Sequence, residues 1–234
     1  YMSGINSTTA NKTNTFINKY STTGVLQWST SLINNSLGSG AIKNICPTPT
    51  AIYGTGEELD TVNNKYRAVL VELNTNGAVI SKYRFDNVFN NGSSGEIVSI
   101  GTNGAPVAII SGYFKDGANR NKIFVSRNNG SSIAFIDTIN IVANTNDSIA
   151  SFYTDQFNYS YLSYNSYSSG ISIGYGIIKI NPEGLVLYSK FISNLSGAFV
   201  KKYEVDISGF GYLLASSKVN GNYGLVTQKL DANG

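Results

Sequence analysis

Acidic side chains are the residues of this sequence that are best suited to chemistry. There are 14 of them and no histidine, which excludes Ser-His-Asp and Cys-His catalysis and histidine-based zinc sites. Paired carboxylates can still cleave glycosidic bonds, and the densest acidic run is Glu57-Glu58-Leu59-Asp60. We expect this run to lie in a solvated loop. We therefore predict that the chain is not an enzyme, with a carboxylate-dependent glycan-processing enzyme as the less favoured alternative.

Neither the cysteine nor the acidic loops predict a cofactor. Cys46 is the only cysteine, so it forms no internal disulfide and no thiolate metal site, and we expect a buried, small hydrophobic role for it. Asp116–Asn121 and Asn144–Ser148 offer oxygen ligands. Neither segment has the spacing of an EF-hand, and ordinary turn chemistry explains both. We predict no metal and no cofactor.

A group of tyrosines between residues 152 and 167 gives the clearest binding signal. Tyrosine set among Ser and Asn is typical of recognition surfaces for sugars or proteins, because a rigid ring offers contact area at little entropic cost. The alternative is that these rings pack between neighbouring sheets. The candidate binding residues are Tyr153, Tyr159, Tyr161, Tyr164 and Tyr167.

Charge and hydropathy narrow the range of partners. The formal net charge is +3 and charged residues make up only 13%, without the concentrated basic face that nucleic-acid binding needs. No apolar run approaches the roughly 18 residues that span a membrane. We predict no nucleic-acid partner and no membrane span, and we expect the partner to be a protein or glycan on a surface, or copies of the chain itself.

Five similarly placed glycines reveal an internal repeat. Each follows a strand-like run, the first four also precede another, and their spacings are 53, 53, 54 and 50 residues. Glycine suits such turns because it adopts positive φ without steric cost. These structural turn glycines are Gly24, Gly77, Gly130, Gly184 and Gly234.

Two further strand-like runs precede the turn in repeats two to five, which gives four strands per repeat. A period near 50 with four strands is typical of a β-propeller blade. We predict an all-β fold: one β-propeller domain over residues 1–234, made of four-stranded antiparallel blades and possibly part of a larger propeller. The repeats are expected at about 1–35, 36–88, 89–144, 145–194 and 195–234.

The repeat also resembles a known family. Phe16-Ile-Asn-Lys-Tyr20-Ser-Thr-Thr-Gly24-Val-Leu-Gln-Trp28-Ser, and next Gly176–Lys190, are similar to the SBBP-type propeller repeats of bacterial and viral surface proteins. The resemblance implies an extracellular, cell-surface or virion location, and a blade-packing role for Trp28. The absence of histidine, the low charge and the many Tyr, Asn and Ser residues favour a non-catalytic surface module for binding or assembly, with a structural subunit of a shell or filament as the alternative.

The two ends of the repeat array also carry a prediction. Repeat one lacks its first strand and repeat five lacks its last, so we expect either that the chain is a segment of a larger propeller or that the open sheet edges pair with another chain. Binding would use long loops between the second and third strands, for which the candidates are Thr55–Tyr66 and Asn165–Gly170.

Overall fold

A computed structural model describes most of the chain. The residues described are 1–7, 13–32, 40–85, 92–102, 105–128, 133–139, 142–155, 157–193, 197–219 and 222–231. They form eighteen strands and no helix. The prediction of an all-β fold is confirmed.

The strands form five antiparallel sheets, each of which lies within one predicted repeat. Sheet one contains β1 (Met2–Ser7), β2 (Thr13–Tyr20) and β3 (Leu26–Ser31). Sheet two contains β4 (Gly40–Pro47), β5 (Ala51–Asp60), β6 (Lys65–Asn74) and β7 (Val79–Arg84). Sheet three contains β8 (Gly92–Thr102), β9 (Ala105–Lys115), β10 (Asn121–Asn128) and β11 (Ile133–Ile139). Sheet four contains β12 (Asn146–Thr154), β13 (Ser160–Ser168), β14 (Ile171–Ile180) and β15 (Val186–Ser193). Sheet five contains β16 (Phe199–Val205), β17 (Gly211–Val219) and β18 (Asn222–Leu230).

Within each sheet the strands are neighbours in chain order, so every sheet is a simple meander. Sheets two, three and four have four strands, and sheets one and five have three in the part of the chain that the structure describes. The Gly24 turn joins β2 to β3 as the Gly77 turn joins β6 to β7. Sheet one therefore corresponds to strands two to four of a repeat, and sheet five corresponds to strands one to three.

The chain divides into two compact units, residues 1–115 with 126–136, and residues 116–125 with 137–234. In the first unit, β4 packs on β1 and β2, and β8 packs on β4, β5 and β6. In the second unit, β16 packs on β12, β13 and β14. In each case the first strand of one sheet covers the preceding sheet.

Alternating apolar residues make these contacts, as expected for half-buried strands. The core of the first unit includes Ile17, Ile42, Ile52, Val69, Val71 and Leu73. The core of the second unit includes Tyr161, Tyr175, Ile177, Val200, Tyr203 and Leu213.

The turn glycines have the predicted conformation wherever the structure describes them. Gly24, Gly77 and Gly184 have φ values of 82°, 86° and 96°. Gly130 and Gly234 lie outside the described residues. Gly77 has a second role, because a β-carbon there would lie 2.7 Å from Trp28 Cδ2. Half-buried Trp28 thus packs on this turn, and its Nε1 donates to the Thr75 carbonyl at 3.2 Å.

Four expectations about local structure are wrong. The acidic run is not a loop: β5 continues to Asp60, because Glu58 pairs with Lys82 at 2.8 Å and Asp60 pairs with Arg67 at 3.5 Å. The predicted loop Thr55–Tyr66 therefore shrinks to a turn over residues 61–64. Cys46 is only partly buried.

The fourth expectation concerned Asn165–Gly170, which is largely strand. β13 runs to Ser168, and only Ser169 and Gly170 turn the chain, both with positive φ. Asn165 stays in the strand because its buried amide bonds the backbone of Val200, donating to the carbonyl at 3.1 Å and accepting from the N–H at 2.7 Å. This side chain fixes one sheet to the next, so it is not available in a loop.

Candidate functional site

The five candidate tyrosines do not share one surface. Tyr161 and Tyr164 are buried, and they lie on opposite faces of β13 because side chains alternate along a strand. Tyr153, Tyr159 and Tyr167 are partly exposed. Packing accounts for Tyr161, which stacks on Tyr153, and for Tyr164, which stacks on Phe191. Ligand binding by the partly exposed tyrosines stays a prediction.

Asp155 organises the tyrosines of sheet four. It lies in the turn between β12 and β13, where its Oδ1 accepts the N–H groups of Phe157 and Tyr159 at 2.9 and 3.0 Å. Its Oδ2 accepts the Tyr161 hydroxyl at 3.0 Å. Lys179 Nζ lies 4.8 Å from the Tyr159 ring centroid and 5.4 Å from that of Tyr161, within the range of a cation–π contact.

Sheet five repeats this arrangement in every part. In the turn between β16 and β17, Asp206 Oδ1 accepts the N–H groups of Ser208 and Phe210 at 2.9 and 3.0 Å. Its Oδ2 accepts the Tyr212 hydroxyl at 3.0 Å. Lys229 Nζ lies 4.1 Å from the Phe210 ring centroid and 5.6 Å from that of Tyr212.

The two copies differ in what covers them. In sheet four, Tyr203 of β16 lies over Tyr161 with ring centroids 6.0 Å apart, and Tyr161 is only 3% exposed. In sheet five, Tyr212 is 46% exposed. The difference in exposure is larger four residues before the lysine of each copy. Tyr175, before Lys179, is 3% exposed, whereas Leu225, before Lys229, is 76% exposed. Sheet five thus presents to solvent the face that sheet four buries.

We call this surface the Tyr212 face. Cross-strand register places its residues side by side on β16, β17 and β18. Its middle forms an open groove of about 520 Å³. Ring, aliphatic and basic groups dominate it, with one exposed ion pair between Lys202 and Glu204 at 2.6 Å. The face consists of Lys202, Glu204, Tyr212, Leu214, Tyr223, Leu225, Thr227 and Lys229.

Burial changes the acidity of the covered tyrosines. Desolvation, and then the nearby Asp155, raises the pKa of Tyr161. Desolvation, and then the hydrogen bond with Tyr188, raises the pKa of Tyr203. Both hydroxyls therefore remain protonated at physiological pH and act as neutral hydrogen-bonding groups.

Asp206 predicts how the fold responds to acid. Burial of this carboxyl acts to raise its pKa, but bonds from the Phe210 N–H, the Tyr212 hydroxyl and the Ser208 N–H outweigh it, so the pKa lies below its ordinary value. A carboxyl with a lowered pKa stabilises the fold above its unfolded-state pKa, and this contribution is lost as pH falls through the folded-state pKa.

We therefore expect the urea midpoint to drop as pH is lowered from about 5 to about 2, and we expect Asp206→Asn to reduce the size of that drop. Glu183→Gln is the charge-matched control, because Glu183 is exposed in the turn that contains Gly184. An unchanged acid dependence in Asp206→Asn would contradict the role assigned to this carboxyl.

Three further acidic groups of the described residues are engaged in structure. Glu58 and Asp60 hold the ion pairs already described, and Asp116 accepts the N–H groups of Ala118 and Arg120 and pairs with Arg120 Nε at 2.8 Å. Among the residues that the structure describes, no group of three or more His, Cys, Asp or Glu side chains could hold a metal ion. No helix in that same part of the chain is long and apolar enough to cross a membrane.

Comparison with known proteins supports the fold. No protein-family model matches the chain, and no curated protein matches it, so the SBBP-type resemblance stays a prediction. Two point mutants of Synechocystis apocarotenoid oxygenase have a TM-score of 0.54 at 12% and 13% identity, over 98% of this chain and 55% of theirs. The chain thus spans about half the length of those structures.

Two further solved structures are less similar. A thermostable family-43 glycoside hydrolase has a TM-score of 0.44 at 12% identity, over 83% of this chain and 69% of that one. A subtype N11 neuraminidase-like protein, from a flat-faced bat isolate, has a TM-score of 0.47 at 10% identity, over 94% and 69%. At such identities a likeness concerns the fold alone. The described part of the chain is all-β with antiparallel sheets, and its structural neighbours are propeller-like proteins.

Proposed function

We propose that the chain is a non-catalytic surface module, extracellular or on a virion, which binds protein through the Tyr212 face and so takes part in assembly. One observation carries the proposal. The Asp206, Tyr212 and Lys229 arrangement is the same as that of Asp155, Tyr161 and Lys179, yet only the latter is covered by protein.

The packing of sheet four indicates what such a face accepts. In sheet four the covering element is the edge strand β16. Its residues Val200, Tyr203 and Val205 pack on the face that carries Tyr161. The Tyr212 face carries the equivalent tyrosine and lysine, with Tyr223 and Leu225 exposed beside them. Exposed apolar groups of this kind, rimmed by charged side chains, are typical of protein-binding surfaces.

A second copy of the chain is the partner we expect. Sheet one exposes Met2 on β1, opposite the face that β4 covers. Contact between this surface of one copy and the Tyr212 face of another is head-to-tail, and such contacts generate rings or filaments. The non-catalytic assignment is supported by Glu58 and Asp60, whose carboxylates are held in ion pairs.

Sedimentation velocity tests the proposal. We expect the sedimentation coefficient of the 234-residue chain to rise with concentration, and we expect Leu225→Lys to shift that rise to at least about tenfold higher concentration, a change of about 1.4 kcal/mol. Ile171→Lys is the matched control, because Ile171 is 64% exposed but lies at the β13–β14 hairpin. A chain that stays monomeric, or a Leu225→Lys variant that associates like the parent, contradicts the proposal.

A further inference from the structure

A small cleft lies between two turns of the second unit. The turn between β12 and β13 forms one side, the turn between β16 and β17 forms the other, and the volume between them is about 90 Å³. That is roughly three times the volume that one water molecule takes up in the liquid. The cleft therefore admits one edge of a small ring, and the rest of a ligand would lie across its rim. Its lining residues are Tyr153, Asp155, Phe157, Val205, Asp206 and Ile207.

The rim of the cleft carries two apolar side chains that the turns themselves do not need. Phe157 is 60% exposed and Ile207 is 80% exposed. Each turn is held by its aspartate and by backbone hydrogen bonds, which use neither of these side chains. Apolar groups beside a cavity are typical of ligand-binding sites. The C–H groups on one side of a sugar ring pack well on such a surface, because the face of an aromatic ring carries partial negative charge.

The two carboxylates of the cleft keep capacity to accept hydrogen bonds. A carboxylate has about four acceptor positions on its two oxygens. Asp155 and Asp206 each accept two N–H groups on Oδ1 and one tyrosine hydroxyl on Oδ2. Both side chains are partly exposed, so the remaining position on each Oδ2 can accept a hydroxyl from a ligand. Hydrogen bonds to an ionised carboxylate are roughly twice as strong as bonds between neutral groups.

Each carboxylate also has a lysine nearby on its own sheet. Lys179 Nζ lies 5.4 Å from the ring of the tyrosine that Asp155 binds, and Lys229 Nζ lies 5.6 Å from the ring of the tyrosine that Asp206 binds. The formal charges of the two acids and the two lysines cancel, so the surroundings of the cleft do not attract a charged ligand of either sign. A neutral ligand that has hydroxyl donors and an apolar face fits these walls.

We infer that this cleft binds a neutral sugar residue at the end of a glycan chain, a function additional to the protein binding proposed above. One edge of the sugar ring enters the cleft, its hydroxyls donate to Asp155 and Asp206, and its C–H face packs on Phe157. The partly exposed Tyr153 adds a hydroxyl that both donates and accepts. The inference does not depend on the proposed function, because no residue that lines the cleft belongs to the Tyr212 face.

Saturation-transfer NMR with four neutral probes tests the inference. The probes are the methyl pyranosides of glucose, galactose, mannose and N-acetylglucosamine. We expect the full chain to bind at least one of them with a Kd of about 1–10 mM, because the cleft buries only one edge of a small ligand. No binding of any of the four at concentrations about tenfold above that range would overturn the inference.

Two variants and a control locate the site. Phe157→Ser is expected to weaken binding of the sugar at least about tenfold, since it removes the ring on which the sugar packs. Tyr153→Phe is expected to weaken it about threefold, since it removes one hydroxyl and keeps the ring. Ile171→Ser is the matched control, because it also removes an exposed apolar side chain but does so at the β13–β14 hairpin, at the other end of β13. Unchanged binding in Phe157→Ser, or an equal loss in Ile171→Ser, contradicts the assignment of the cleft.

A basic side chain of a protein partner is the competing occupant of the cleft. Nα-acetyl-lysine methylamide is therefore titrated beside the sugars, and the inference is wrong if it binds while no sugar does. The outcomes also separate the inference from the proposed function. A chain that self-associates but binds no sugar loses the glycan site and keeps the assembly role. A chain that binds a sugar through Phe157 but stays monomeric keeps the glycan site and loses self-assembly through the Tyr212 face.

Discussion

Gly56→Ala is expected to lower the free energy of unfolding by about 3 kcal/mol. A β-carbon at Gly56 would lie 1.7 Å from the Ala41 carbonyl oxygen and 2.8 Å from Ile42 Cα. Both atoms belong to the backbone, so no side-chain rotation can relieve the clash. β4 is already irregular there, with a register shift between Ile42 and Asn44 opposite Gly56. The substitution must therefore displace β4, which is also the strand that covers sheet one.

Gly224→Ala is the matched control for this effect. It makes the same chemical change in a strand, but no atom lies within 4 Å of the added carbon. We expect its free energy of unfolding to stay within about 0.5 kcal/mol of the parent's. Equal midpoints for the two variants in urea unfolding, followed by circular dichroism, would contradict the close approach of β4 to β5.

Lys122→Met is expected to cost about 3–5 kcal/mol of stability, because it leaves a buried carboxylate without its cation. The side chains of Lys122 and Asp147 are 6% and 0% exposed, and Nζ lies 3.1 Å from Oδ2. Lys122 Nζ also donates to the Thr145 hydroxyl and the Val142 carbonyl. Asp147 Oδ1 accepts from Thr145 and from Ser166 at 2.9 and 2.7 Å. The ion pair and its hydrogen bonds thus connect β10, β12 and β13.

A second substitution and an exposed pair serve as controls. Lys122→Met combined with Asp147→Asn should be less destabilised than the sum of the single variants, because the unpaired charge is gone. Lys202→Met breaks the exposed pair with Glu204, whose side chains are 62% and 56% exposed, and should cost less than about 1 kcal/mol. Additive effects in the double variant would show that the buried charges do not interact.

The periodic part of the fold could be predicted from the sequence. The turn glycines gave the repeat, and each observed sheet lies within one repeat, because a hairpin glycine at positive φ is a local requirement. The two strand-like runs predicted before the turn in repeats two to five are both strands in the structure, for example β4 and β5 in repeat two. These strands can be recognised because apolar residues alternate within the sequence of each strand.

Polar strands could not be predicted in this way. Glu58, Asp60 and Asn165 look like loop residues, and only their partners on other strands, Lys82, Arg67 and the Val200 backbone, keep them in a sheet. Such partners lie outside any local window of sequence. The same limitation applies to the tyrosines, since Tyr161 is buried by Tyr203, which lies 42 positions further along the chain.

The Tyr212 face did leave a signal in the sequence. Asp155-Gln-Phe-Asn-Tyr159-Ser-Tyr161 and Asp206-Ile-Ser-Gly-Phe210-Gly-Tyr212 share an acid, an aromatic residue four positions later and a tyrosine six positions later. Aligning repeats four and five on this pattern would have paired Tyr161 with Tyr212. Which of the two is covered depends on packing between sheets, and only the structure shows it.

Oxidative footprinting of Tyr161 and Tyr212 by mass spectrometry tests the central claim most directly, because the two residues share one local environment and differ only in cover. In the dilute chain we expect Tyr212 to be modified many times faster than Tyr161, and we expect its rate to fall towards that of Tyr161 as the chain associates. Equal and slow modification of both tyrosines in the dilute chain would mean that the Tyr212 face is already covered, and would contradict its role as a binding surface.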